Sequence, residues 1–173
     1  MRILVTGATG FAGRWLTREL ERSGHSIIAA PPRGELDVAD GAAVAAYVKA
    51  AAPDAIAHLA GLAYGPDARR DPALAMAVNV GGARAVLEAA ATIALDLAVL
   101  VVSSSEVYGR PSPDDLPIKE TAALRADQPY GTSKVGLEQV AIAAMSQGLA
   151  PKTTRPLFTS SVEVTPPPFF DLS

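Results

Sequence analysis

The sequence predicts an α/β fold with a doubly wound parallel sheet. Apolar runs typical of buried strands alternate with helical patterns along the chain, and the first strand passes through a glycine-rich turn directly into a helix. Hydrophobic residues make up 49% of the chain and aromatic residues only 5%. Continuous apolar strands are typical of parallel sheets covered by helices on both faces. At 173 residues, the chain has the length of one domain.

The turn after the first strand is the most informative local pattern. An apolar run over 2–5 is followed by Thr6–Gly13, which holds glycines at 7, 10 and 13, and a helical pattern continues through Trp15 and Leu20. Such glycines allow a sharp turn, a close approach to a ligand and tight packing of helix on strand. Because helix N-termini favour anions, the turn predicts a pyrophosphate site. The alternative is a glycine-rich turn without a ligand.

The second predicted strand, 26–30, bears on the choice between NAD and NADP. In a dinucleotide-binding fold the end of this strand faces the adenosine ribose, where an acidic residue binds the 2′-hydroxyl and an arginine accepts a 2′-phosphate. No Asp or Glu stands at this strand end, and Arg33 follows closely. The pattern leans towards NADP, with a solvated loop charge as the alternative role of Arg33.

The remaining predicted elements continue the alternation. They are a helix from the N-cap Asp40 to before Pro53, a strand over 54–60, a polar loop over 61–72, a helix over 73–92, a strand over 97–102, a long surface loop over 110–128, a helix from Pro129 and a fifth strand near 152–156. Beyond the fifth strand no further strand–helix unit follows. We therefore expect one domain over 1–156 and an irregular tail over 157–173.

A polar cluster follows the fourth strand directly. Ser103, Ser104, Ser105 and Glu106 stand where the carboxyl ends of parallel strands form a ligand crevice. They are candidate site residues. The alternative is a serine-rich strand exit that satisfies its own backbone.

Tyr130 and Lys134 form a second candidate pair on the last helix. They are four residues apart and share one helix face. An ammonium near a phenol favours the phenolate, so we expect a Tyr130 pKa lowered towards neutrality and an acid–base role. His58 is expected to be a packed strand-end residue, and Asn79 either bonds to backbone or serves a site.

Composition excludes several classes of protein. The net charge is −3 without a basic run, so no nucleic-acid partner is expected. The absence of cysteine excludes disulfides and thiolate metal sites. The longest apolar stretch, 89–102, is too short for a bilayer, and the first strand leaves no room for a signal peptide. These observations predict a cytoplasmic protein without a metal site.

Five motifs, in this order, resemble the extended short-chain dehydrogenase/reductase family, in its NAD-dependent epimerase/dehydratase group. They are Thr6–Gly13, His58–Gly61, Asn79–Gly81, Ser103–Gly109 and Tyr130–Lys134. The resemblance covers residues 1 to about 150. It implies a Rossmann-type NAD(P)-binding domain and an oxidoreductase acting on a nucleotide-sugar substrate. Within the group the chain is most similar to the GDP-4-keto-6-deoxy-mannose reductases, through the segments 104–109, 116–120 and 128–130.

The resemblance also implies roles for single residues. Tyr130 would exchange a proton with the substrate oxygen, and Lys134 would hold the nicotinamide ribose and tune Tyr130. Ser104 would be the catalytic hydroxyl, with Ser105 as a lesser candidate and Glu106 at the position of a dehydratase base. The implied cofactor-binding residues are Gly7, Thr9, Gly10, Phe11, Ala12, Gly13, Arg33, Asp37, Val38, Leu59, Ala60, Gly61, Asn79, Ser103, Tyr130 and Lys134, where Asp37 and Val38 match the adenine-contacting pair and Asn79 props the site.

The end of the chain departs from the family pattern. Arg155-Pro156 matches, but the Asn and the Gly-Pro that follow in family members are missing, as is the region that binds the sugar nucleotide. A truncated or out-of-frame version of a longer enzyme is implied, without its substrate lobe and with a sheet edge that invites dimerisation or instability. Reductase, dehydratase and epimerase stay open. The alternative is an NAD(P)-binding module without turnover; a flavodoxin-like protein would not need the Ser104, Tyr130 and Lys134 constellation.

Overall fold

The computed structural model describes residues 1–155 of the chain. Within them, five parallel strands form one sheet in the order β2-β1-β3-β4-β5. The strands are β1 (Arg2–Thr6), β2 (Ser26–Ala29), β3 (Ala55–His58), β4 (Ala98–Val102) and β5 (Lys152–Thr154). The predicted fold class and all five strands are confirmed. The predicted tail over 157–173 lies outside the described residues.

Six α-helices and three shorter helical segments connect the described strands. The α-helices are α1 (Phe11–Arg22), α2 (Gly41–Ala51), α3 (Gly65–Arg70), α4 (Pro72–Met76), α5 (Gly82–Ile93) and α6 (Pro129–Ser146). A π-helical turn over Ala77–Gly81 joins α4 to α5, and 3₁₀ turns occupy Ser105–Tyr108 and Pro113–Asp115. The predicted helix over 73–92 is therefore correct in extent but has a π turn in its middle.

The prediction of a plain loop over 61–72 is wrong, because α3 lies within it. Local signals for this short helix are present: Pro66 and Asp67 stand in its first turn and two arginines in its last. Proline at a helix start, acidic residues near the N-terminus and basic residues near the C-terminus all favour a helix. The segment lacks the apolar periodicity from which longer helices are recognised.

The core lies on both faces of the sheet. Ile3 and Val5 of β1 pack with Leu20 of α1 on one face, while Leu4, between them in the sequence, packs with α2, α5 and α6 on the other. This alternation follows from the two-residue period of a strand. Helices on both faces make the sheet doubly wound, as predicted.

One helical stretch in the described part, Pro72–Ile93, has the length and apolar composition of a membrane span. In its most apolar window, 56% is buried inside the protein. Its α5 portion packs against α2 and α6. The stretch is therefore explained as a core helix.

Candidate functional site

A groove of about 860 Å³ lies across the carboxyl ends of β1 and β3. The sheet order changes direction between these two strands, and such a switch point is where open α/β sheets bind ligands. Twelve of the predicted cofactor-binding residues line the groove: Gly7, Thr9, Gly10, Phe11, Ala12, Gly13, Arg33, Asp37, Val38, Leu59, Ala60 and Gly61. Asn79, Ser103, Tyr130 and Lys134 are not among the residues that line it.

The glycine turn lines the groove, and at Gly7 and Gly13 it has no room for a side chain. Gly7 has a φ of +71°, and a Cβ added there would lie 2.7 Å from the Ala60 nitrogen. A Cβ on Gly13 would overlap the Gly7 carbonyl oxygen, which accepts a hydrogen bond from the Gly10 N–H at 3.0 Å. The turn thus brings the N-terminus of α1 to the groove, and the first N–H groups of a helix have no intrahelical partners. This cradle fits the pyrophosphate of a dinucleotide.

Arg33 and Asp37 lie together on the β2 side of the groove. The Arg33 Nε is 3.5 Å from an Asp37 carboxylate oxygen, and the other oxygen accepts the Ala39 N–H at 3.0 Å. The Arg33 side chain is 58% exposed. The guanidinium therefore stands at the predicted place but already has a partner.

The wall opposite includes residues that the sequence reasoning missed. Tyr64, Asp67, Arg70 and Asp71 line the groove from α3 and its ends. Arg70 pairs with Asp67 at 2.9 Å. These residues were missed because the segment was interpreted as a loop without a defined orientation.

A second group of predicted residues meets at the start of α6. The Tyr130 residue is 7% exposed, and the Ser104 side chain is near enough to its phenol to lower the phenol pKa. The Lys134 Nζ lies 5.8 Å from the centroid of the Tyr130 ring and donates a hydrogen bond to the Val102 carbonyl oxygen at 2.9 Å. Ser104, Tyr130 and Lys134 are thus brought together, and we call these three candidate catalytic residues the catalytic corner.

The expected pKa of Tyr130 is corrected by the structure. Burial raises the pKa of the phenol above its ordinary value, the Ser104 side chain acts in the opposite direction, and the charge of Glu106 raises it further. Burial also lowers the pKa of Lys134 to about 8. Helix spacing predicted the pair, but it carried no information on desolvation, which is the largest cause of the raised Tyr130 pKa. At neutral pH the phenol is protonated and can act as a proton donor.

The serine cluster divides into different roles. The Ser104 hydroxyl accepts the Glu106 N–H at 3.2 Å, so it caps the 3₁₀ turn. Ser103 is buried and donates to Glu138 at 2.6 Å, so its hydroxyl points away from the groove towards α6, and its cofactor-binding role stays a prediction. Ser105 is partly buried in the same turn, and Glu106 is exposed. Ser104 therefore fits both interpretations of the cluster, because it bonds to the backbone of its own turn and also stands beside the candidate site residue Tyr130.

Asn79 and His58 support the site from within the core. The Asn79 amide accepts the Leu62 N–H at 2.8 Å and donates to the Leu62 carbonyl at 3.1 Å, so it bonds to backbone, one of its two expected roles, and its propping of the site stays a prediction. His58 is buried, as expected, with its Nδ1 2.7 Å from the Thr6 hydroxyl oxygen. Burial, assisted by the charge of Lys134, lowers the His58 pKa to about 3, so this ring is neutral.

The catalytic corner adjoins the groove through two residues. A Cβ at Gly61, which lines the groove, would lie 3.7 Å from the Lys134 Nζ. Leu62 also lines the groove and packs against the cluster that contains Tyr130. A ligand lying along the groove therefore comes close to Lys134 and Tyr130 at one end.

A partly buried ion pair near the corner was also missed, with side-chain exposures of 24% for Arg155 and 5% for Glu138. Arg155 binds Glu138 with two hydrogen bonds, of 2.7 and 2.6 Å, and donates to the Tyr108 hydroxyl at 2.7 Å. Glu138 stands four residues after Lys134 on the same helix face. That spacing was the available signal, but nothing local indicated that Arg155 would be the partner.

The strand order, the glycine cradle and the buried corner define a Rossmann-type α/β domain. The chain belongs to the NAD dependent epimerase/dehydratase family, whose model matches residues 3–164. It is similar to GDP-6-deoxy-D-mannose reductase of Pseudomonas aeruginosa, with 32% identity over 143 residues that cover 82% of this chain and 46% of the relative. It is also similar to dTDP-4-dehydrorhamnose reductase of Streptomyces griseus, with 40% identity over 120 residues, 67% of this chain and 38% of the relative.

Solved structures agree with this assignment. The structure of RMD from Pseudomonas aeruginosa complexed with NADPH has 30% identity and a TM-score of 0.78 over 89% of this chain and 52% of that one. The UDP-glucose 4-epimerase of Thermus thermophilus, in complex with NAD, has 25% identity and a TM-score of 0.80. The match covers 90% of this chain and 54% of that one. The expected family and the Rossmann-type fold are confirmed. The chain spans about half the length of these relatives.

Proposed function

We propose that this chain carries the cofactor-binding and proton-transferring half of an NAD(P)-dependent sugar-nucleotide oxidoreductase. The reductases of 4-keto-6-deoxy-sugar nucleotides are the favoured type, because the chain is similar to a GDP-6-deoxy-D-mannose reductase and two kinds of dTDP-linked reductase. The observation that carries the proposal is the glycine cradle of the groove lying beside the buried Tyr130, Ser104 and Lys134. NADP is favoured over NAD because Arg33 lines the groove near the end of β2.

The chemistry divides between the groove and the corner. A dinucleotide in the groove would supply a hydride to the sugar carbonyl carbon. Tyr130 would donate its phenolic proton to the carbonyl oxygen, which becomes the alcohol oxygen, and solvent would return the proton to Tyr130. The Ser104 hydroxyl would hold the same oxygen in place. Lys134, when protonated, would stabilise the tyrosinate that remains.

Replacement of the phenol tests this assignment. With cofactor and a keto-sugar nucleotide present, Tyr130→Phe should reduce kcat by about 100- to 10,000-fold, the contribution of a positioned proton donor. Calorimetry should find NADPH affinity almost unchanged, because Tyr130 does not line the groove. Tyr47→Phe is the matched control, since Tyr47 lies on α2 and its hydroxyl contacts only the Ala29 carbonyl in the described part, at 3.4 Å. Equal activity of wild type and Tyr130→Phe would remove Tyr130 from the mechanism.

The second candidate function is an NAD(P)-binding module without turnover. The specific observation in its favour is that the chain spans about half the length of its relatives. Calorimetry with NADPH and NADH, combined with assays on a panel of GDP-, dTDP- and UDP-linked keto sugars, separates the two candidates. Binding without turnover on any of them would favour the module, and tighter binding of NADPH than of NADH would support the role of Arg33.

The proposal includes a cytoplasmic location and a homodimer. β5 is the edge strand of the sheet in the described part, and an open edge can pair with another chain. Light scattering on the purified chain measures the oligomeric state directly. A monomer at all tested concentrations would contradict the homodimer.

A further inference from the structure

We propose that Glu138 and Arg155 are positioning residues that hold the turn after β4 so that Ser104 faces Tyr130. The proposal rests on the function proposed above for Tyr130 as the proton-transferring residue. It goes beyond that function by assigning a task to an ion pair that does not belong to the groove or to the catalytic corner.

The ion pair ties together four separate segments. Glu138 lies on α6 and is 3% exposed, and Arg155 directly follows β5. Arg155 binds both carboxylate oxygens of Glu138, and its remaining terminal nitrogen donates to the Tyr108 hydroxyl at 2.7 Å and to the Glu120 carbonyl at 2.9 Å. Ser103, at the end of β4, donates to the same carboxylate at 2.6 Å.

These contacts anchor the 3₁₀ turn at both ends. Ser103 precedes the turn and is held by Glu138, while Tyr108 ends the turn and is held by Arg155, whose guanidinium also lies 5.2 Å from the centre of its ring. Ser104, whose side chain lowers the pKa of the phenol, lies between the two anchors. A displacement of either anchor is therefore transmitted to Ser104.

The turn also lies directly against the start of α6. A Cβ added at Gly131 would lie 2.6 Å from the Glu106 carbonyl oxygen, so the backbone of the turn reaches the residue after Tyr130. Because the two backbones are already in close contact, the turn cannot shift towards α6 without changing the surroundings of the phenol. The charged groups around the phenol are Glu106 on the turn and Lys134 on α6.

Stability alone is a weak reason for such a pair. Burying two charges costs free energy that their attraction often only balances, and apolar residues of similar size can replace them without loss. A bidentate pair does, however, fix geometry strictly. A positioning role and a stabilising role then differ in one measurable respect, the titration of Tyr130.

The test follows the ¹³Cζ resonance of Tyr130 against pH in tyrosine-labelled protein. The chain has four tyrosines, and Tyr130→Phe identifies the signal of interest. In Glu138→Gln, Ser103→Ala and Tyr108→Phe, we expect the titration midpoint of Tyr130 to rise, because the Ser104 side chain, which lowers the phenol pKa, would no longer be held beside it. Glu19→Gln is the matched control, since it makes the same substitution in an ion pair at 3.0 Å on α1, and it should leave the midpoint unchanged.

A midpoint equal to that of wild type in all three variants would overturn the proposal, even if thermal stability falls. If Glu138→Gln does not fold, the titration midpoints of Ser103→Ala and Tyr108→Phe test the proposal, because each variant removes one hydroxyl and leaves the ion pair in place. The measurement needs neither substrate nor cofactor. Loss of the proposed oxidoreductase activity would therefore not affect it, and failure of the positioning role would leave that activity intact as a proposal.

Discussion

At the scale of single residues, Lys134 makes stability depend on pH in an uncommon direction. Burial lowers its pKa from 10.5 to about 8, so between these values the unfolded chain retains a proton that the folded chain has lost. Raising the pH through this range therefore favours the folded state. The difference between the two pKa values corresponds to about 3 kcal/mol.

Replacing the amine with an apolar side chain should remove this dependence. We expect the free energy of unfolding of Lys134→Met to exceed that of wild type by most at pH 7. This difference should shrink by up to about 3 kcal/mol as the pH rises from 8 to 10.5. Urea denaturation of both proteins across this range measures the change. A difference between the two proteins that stays constant with pH would show that Lys134 is not desolvated in the fold.

Gly13 offers a second test at this scale, because a side chain there would overlap the Gly7 carbonyl. We expect Gly13→Ala to lower NADPH affinity by at least about tenfold and to destabilise the fold by about 1–3 kcal/mol, the usual cost of overpacking. Calorimetry and denaturation measure the two effects. Gly81→Ala is the control, since a Cβ there meets open space, and it should be neutral or slightly stabilising. Equal NADPH affinity of the two variants would show that the glycine cradle does not take part in cofactor binding.

At the scale of elements, α2 begins at an N-cap that was visible in the sequence. The Asp40 carboxylate accepts the Ala42 and Ala43 N–H groups at 3.0 Å each. We expect Asp40→Ala to lower the free energy of unfolding by about 1 kcal/mol, whereas Asp40→Asn, an equally good cap, should change it little. Chemical denaturation compares the two variants. Equal losses would indicate that the charge matters and not the cap.

The elements that sequence reasoning missed share one physical property. α3 and the π turn over Ala77–Gly81 are only six and five residues long, too short to show the apolar periodicity of a longer helix. The π turn carries Asn79 into the core, where its amide also donates to the Ser133 hydroxyl at 2.8 Å. A change from α to π geometry leaves the apolar pattern of a helix almost intact, so periodicity cannot detect it.

At the scale of the whole molecule, cofactor binding should stabilise the described domain. A ligand at 100 times its Kd adds about 2.7 kcal/mol. For a chain of 173 residues this corresponds to a rise in Tm of about 5–10 °C. Calorimetric scans with NADPH and with NADH measure it, and the Gly13→Ala variant serves as the control. An unchanged Tm at millimolar concentrations of both dinucleotides would contradict a functional groove.

The fold and most of the groove could be predicted because their signals are local. Strand runs, glycine spacing and the pair Tyr130 and Lys134 all lie within short windows of sequence. The direction of the Tyr130 pKa shift could not be predicted, since it depends on burial by residues distant in the chain. The partnership of Arg155 with Glu138 is also non-local, because it joins the end of one strand to the middle of a helix.

The groove and the catalytic corner are encoded in successive stretches of the polypeptide. Every residue that lines the groove falls between Thr6 and Val78, whereas Ser104, Tyr130 and Lys134 all come later. Gly61, near the Lys134 amine, is where the two stretches meet. Recombination at the junction before β4 could therefore exchange the groove between related proteins while leaving the residues proposed for proton transfer as they were.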